Sequence, residues 1–145
     1  MAFISRVIGN LYVVRWKEPT AADVPRVESE VAAAKRALGK APLHGLAIVP
    51  ENTPAPDDRT RSAMSGSITH LLDHLETMHT VIEGGGFKHS ILRSAMTGIV
   101  LVGGKRGRVV IHGTVSDALD ALAVALGSTS AAIRAQFNQD GPILV

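Results

Sequence analysis

The chain has 145 residues, enough for one domain with a single core, and its lack of Cys excludes disulfides, thiol chemistry and thiolate metal sites. Hydrophobic residues make up 46% but aromatics only 3%, so the core is built from Val, Leu, Ile and Ala, which suits buried parallel strands under helices. A formal charge of +2, with one Trp, one Tyr and three Phe, argues against nucleic-acid binding, and no apolar run approaches the roughly 20 residues of a membrane span. The N-terminus carries arginines at 6 and 15 inside its apolar run and no small-residue cleavage site, so a soluble, cytoplasmic protein is expected.

In chain order, Phe3 to Ile8 and Leu11 to Trp16 are β-rich runs separated by Gly9-Asn10, a hairpin signal. Thr20 is read as opening and capping a helix, with Asp23 and Pro25 in its first turn. Val24, Val27, Val31, Ala34 and Leu38 then form one apolar stripe, and Gly39 is a C-cap. Leu43 to Val49 reads as a buried strand, followed by a proline-rich loop from Pro50 to Asp58. Asp57 or Asp58 caps a helix predicted over Arg59 to Met78, with Met64, Ile68, Leu71, Leu72, Leu75 and Met78 on one face.

Thr80 to Ile82 is a short strand and Gly84-Gly85-Gly86 a turn, and Phe87 to Leu101 reads as a helix. Its end, Ile99 to Val102, would serve equally as β. Gly103 to Gly107 is a turn and Arg108 to Ile111 the last strand. Val115 to Leu126 is a clear amphipathic helix with Leu119, Leu122, Ala123 and Leu126 inward and Ser116 as a candidate cap. Ser128 to Asn138 is one more short helix before a tail. The resulting ββαβαβαβα order, with an extra C-terminal helix, predicts an α/β fold: a mixed, mostly parallel sheet of about five strands with helices packed on it.

This order resembles the STAS domain, the fold of anti-sigma-factor antagonists. The segment SGSITHLLDHL is similar to that family's Ser-Gly-Leu pattern at the start of its second helix. VVIHGTVSDALDAL resembles its closing strand and last helix. With EGGGFKHSILRSAMTGI in front of it, that ending looks closest to uncharacterised bacterial STAS-like proteins. The resemblance implies a STAS-like domain over residues 1–127, with 128–145 as a C-terminal helix and tail packed on it or extending from it. In phosphorylatable members an Asp-Ser-Ser-Gly or Asp-Ser-Thr-Gly motif carries the phosphate. Here Ser65-Gly66 matches the final pair, while Ala63 and Met64 replace the preceding Asp and Ser, leaving Ser65 as the phosphoacceptor candidate.

Three constellations carry chemistry. His70 and His74 stand at i and i+4, metal-ligand spacing in a pattern like H-x-x-E-H with Asp73 in the Glu position. A third ligand would come from His79, Glu83 or His89; the blander reading, which we prefer, puts His70, Asp73 and His74 on a solvated face. Gly84, Gly85 and Gly86 before a helix, with Lys88, would offer backbone amides and a cation to an anion, or simply turn the chain tightly. Lys88, Arg93, Lys105, Arg106 and Arg108 would gather into a basic patch, or into ordinary solvated surface.

No nucleophile elbow or paired carboxylates stand out, so no enzyme activity and no cofactor are expected. The resemblance implies a regulatory, protein-interaction domain acting through the loop and helix start around Asn52 to Ser67. The partner would be a protein of the kinase or anti-sigma-regulator type, and a homodimer is compatible with it. Small anionic ligand or lipid-headgroup binding at Gly84 to Lys88 is the alternative, and a metal-dependent hydrolase using His70 and His74 the third.

Overall fold

In the computed structural model, residues 3–51, 53, 57–84 and 108–138 are described. Five strands form one sheet: β1 (Phe3–Ile8), β2 (Leu11–Trp16), β3 (His44–Val49), β4 (Thr77–Ile82) and β5 (Val109–His112). They lie in the order β1-β2-β3-β4-β5, with β1 antiparallel to β2 and every later neighbour parallel. Four helices pack on it among the described residues: α1 (Val24–Leu38), α2 (Asp58–Leu72), α3 (Val115–Leu126) and α4 (Ser130–Asn138). The protein is α/β with a mixed, mostly parallel sheet.

The hairpin closes over Gly9-Asn10, with Ile8 opposite Leu11. Gly9 sits at φ 56° while no non-glycine residue among the described residues has positive φ, the pattern of a type II′ turn with glycine first. Strand alternation then sorts the side chains. Tyr12, Val14 and Trp16 face α1 and α2, whereas Leu11 and Val13 face α3 and α4. Right-handed crossovers repeated in one direction put α1 and α2 on the same face. The other face is covered by α3 through Val115, Ala118, Leu119 and Leu122, and by α4 through Ile133 and Phe137. No single helix among the described residues is long and apolar enough to cross a membrane.

Several boundaries differ from the sequence reading. Helix α1 starts at Val24, not Thr20: the Asp23 amide bonds Thr20 O at 3.1 Å, and Thr20 Oγ1 donates to Asp23 Oδ2. Pro25 in the first turn lacks an N–H, which removes one amide that the Asp23 carboxylate would otherwise cap. Gly39 ends α1 as expected, its amide bonding Lys35 O.

Helix α2 is capped by Asp57, which accepts from Thr60 N at 2.8 Å, but it ends at Leu72 rather than Met78. Sheet pairing takes over there. Thr77 to Ile82 pair with β3, the Glu76 amide bonds Leu43 O, and the Met78 amide bonds Arg108 O, each at 2.7 Å. Leu75 and Met78 lie in one buried cluster with Leu72, so the apolar stripe holds while its helical geometry does not.

Strand β5 runs from Val109 to His112, one residue later than expected. Thr114, not Ser116, caps α3 by accepting from Asp117 N at 3.1 Å. Left-handed Gly127 ends α3, and α4 begins at Ser130 rather than Ser128. The Phe87 to Leu101 helix, the turn at Gly103 to Gly107 and the C-terminal tail lie outside the described residues.

Candidate functional site

The face under α1 and α2 holds a cavity of about 70 Å³. Its shape follows from the sheet's sequence. On β3, alternation sends Leu46 and Ile48 toward α3 and leaves Gly45 and Ala47 under α1 and α2. The flanking β2 presents Tyr12, Val14 and Trp16 to the same space. A floor of small residues beside large ones leaves room that Val27 and Val31 of α1 and Met64, Ile68 and Leu71 of α2 do not fill. A Cβ on Gly45 would stand 2.8 Å from Leu75 Cδ1, so the glycine lets the turn after α2 come down onto β3.

The two helices over this space are held differently. Helix α1 is tied to the sheet by Glu30, whose Oε1 accepts from Tyr12 OH at 2.9 Å and from Ser5 Oγ. Burial, reinforced by the Glu30 carboxylate, pushes the Tyr12 hydroxyl well above the ordinary phenol range. Helix α2 packs chiefly against α1. Its C-terminal end is clamped by Arg108, whose Nη2 donates to Leu72 O at 2.7 Å and Leu75 O at 2.8 Å. Arg108, one of the five basic residues weighed as a patch or as solvated surface, satisfies carbonyls at a helix end; Lys88, Arg93, Lys105 and Arg106 lie outside the described residues.

The N-terminal half of α2 has no such clamp among the described residues. Asp58, Arg59, Arg61 and Ser62 are exposed there, Met64 is half-buried, and Arg61 pairs with Asp58. Before it, Thr53 is 7% exposed and its hydroxyl finds no hydrogen-bond partner among the described residues. Ser65 is half-buried and donates to Arg61 O at 2.9 Å. It lies two turns into α2, past the free amides of the helix start. Asn52 lies outside the described residues.

The two histidines at metal spacing do not share a helix. His70 is on α2, its Nδ1 3.6 Å from Glu28 Oε1 of α1, while His74 lies in the turn beyond Leu72. No group of three or more His, Asp or Glu suited to a metal ion occurs among the described residues. Of the anion candidate only Gly84, at φ 108°, is described; Gly85, Gly86 and Lys88 are not. Beside Gly84, Glu83 Oε1 stands 3.6 Å from Arg15 Nη1. That buried nitrogen has no hydrogen-bond partner among the described residues.

A histidine row lies on the α3 face, of which the sequence reading named only His79, as a candidate third metal ligand. His44 Nδ1 lies 2.7 Å from Thr77 Oγ1, and His79 Nδ1 lies 2.9 Å from His112 Nε2, with the two rings stacked at 17°. Burial first, then the neighbouring imidazoles of His112 and His44, pushes His79 down to about 4. Burial also lowers His44 and His112, opposed by Glu76 and Asp117 respectively. These shifts favour the neutral form of both rings, in which one donates its N–H to the other. Alternation along β4 would have placed His79 beside Val81 on a buried face, but only pairing brings His112 to it.

No protein-family model, curated protein or solved structure matches the chain.

Proposed function

We propose that this chain is a non-enzymatic STAS-like regulatory domain that meets a protein partner, of the kinase or anti-sigma-regulator type, through the β3–α2 connection and the first turns of α2. One observation carries this reading. Helix α2 is clamped at its C-terminal end by Arg108, while its N-terminal half presents charged residues and half-buried Met64. A partner covering that half would desolvate an apolar rim at Met64 and pair with Arg59 and Arg61. Phosphorylation of Ser65 would break its bond to Arg61 O and add negative charge to the same face.

The test is capture from the host cell with the full chain as bait. The wild type and a Val124→Glu control on exposed α3 surface should recover one protein, and Arg61→Glu should recover it about tenfold less. Equal recovery by Arg61→Glu, or none above background by the wild type, would reject the reading.

A second reading, binding of a small anion beside Gly84, is favoured by Arg15, whose buried Nη1 lacks a hydrogen bond among the described residues. Sites of this kind form at the C-terminal ends of parallel strands, where Arg15 and Glu83 stand. Millimolar phosphate should raise the Tm by about 3 °C over chloride at equal ionic strength, and Arg15→Met should abolish the rise. An unchanged Tm would remove this reading.

A further inference from the structure

We propose that the space beneath α1 and α2 binds an aliphatic chain end carrying one hydrogen-bonding oxygen. This inference stands apart from the partner surface and does not require it. The cavity, about 70 Å³, is walled mostly by carbon. Water placed there would find few polar partners, and an empty apolar void forfeits dispersion contacts. At ~30 Å³ for each small group, the void takes a chain end of two or three carbons, with the rest of the chain lying between the helices.

One polar group is set into this wall. Thr80, on β4 directly opposite Ala47 of β3, is 5% exposed and lines the cavity. Its hydroxyl can both donate and accept, so it offers a hydrogen bond to an oxygen entering the space. The other hydroxyls among the lining residues are engaged, Ser67 Oγ with Met64 O at 3.0 Å and Tyr12 OH with Glu30 Oε1 at 2.9 Å. A ligand oxygen beside Thr80 would add a hydrogen bond shielded from water. Met64, half-buried at the edge, is a side chain able to shift as a chain enters.

Trp16 lines the same cavity and is the only Trp in the chain, so its emission reports on this space alone. The full-length protein is titrated with 6-bromo-1-hexanol, whose bromine quenches indole on contact, and with 1-butanol, 1-hexanol and 1-octanol as competitors. Quenching should saturate and be reversed by the alcohols, with affinity rising about fourfold per methylene until the space is full. Ala47→Leu should fill the cavity and abolish saturable quenching without lowering the Tm. Thr80→Val should weaken alcohol binding about tenfold.

Phosphatidylcholine vesicles with brominated acyl chains separate the two sources of such a chain. Quenching by them assigns a membrane lipid; quenching by the free alcohol alone assigns a soluble amphiphile. Quenching that stays linear in probe concentration, or is equal in Ala47→Leu and the wild type, would overturn the proposal. If Ala47→Leu does not fold, Thr80→Leu fills the same space from β4 and the alcohol series still decides.

Discussion

Acidification from pH 7 to pH 4 is expected to remove about 3 kcal/mol of folding stability, most of it through His79. His79 is 5% exposed and held near 4 in the fold, against an ordinary 6.5. Its folded value lies below its unfolded one, so the unfolded chain binds the proton more readily. The stability is therefore complete above about pH 6.5 and is lost as the pH falls through the folded value near 4. His44 and His112, both lowered by burial, act in the same direction, while Glu76 and Asp117 oppose them. Urea unfolding at pH 7, 5.5 and 4 measures the slope. His79→Gln, which keeps a polar group facing His112, should flatten most of it. An unchanged slope in that variant would mean that His79 is not the buried neutral group this geometry makes it.

Leu119→Ala is expected to cost about 2–5 kcal/mol, while Val124→Ala, on the same helix, should stay within about 0.5 kcal/mol of the wild type. Leu119 is fully buried and packs in one cluster with Leu46, Ile48, Val81 and Phe137, so truncation leaves a void that sheet and helix cannot close. Val124 is 85% exposed. Equilibrium denaturation with unchanged m-values checks both. A Leu119→Ala cost below about 1 kcal/mol would mean that α3 does not seal this face of the sheet.

Those two side chains also show how much was legible in the sequence. The 3–4 spacing of Val115, Leu119 and Leu122 marks a helix face directly, and the burial follows it residue by residue. Gly9-Asn10 between two β-rich runs likewise dictates the antiparallel hairpin. Thr77 and Met78 read as helix because Leu75 and Met78 continue the spacing of Leu71 and Leu72, and only the partner strand reveals that Met78 faces Gly45. Local periodicity cannot report a choice made by pairing. For the same reason the cavity was invisible: Gly45 and Ala47 read as part of an ordinary apolar run until β2 and α2 stand over them. His44, His79 and His112 are far apart in sequence and meet only through register. His70 and His74 show the reverse, a tidy spacing interrupted because the helix stops at Leu72.

The interaction surface proposed on α2 is tested most directly by site-specific photo-crosslinking in the host cell. A photoreactive residue at Ser62 or Gly66, both exposed on α2, should give one discrete heavier species containing a second protein. The same residue at Val124 on α3 should give none. Discrete adducts from Val124 with none from Ser62 or Gly66 would contradict the account, because the partner would then sit on the opposite face of the sheet.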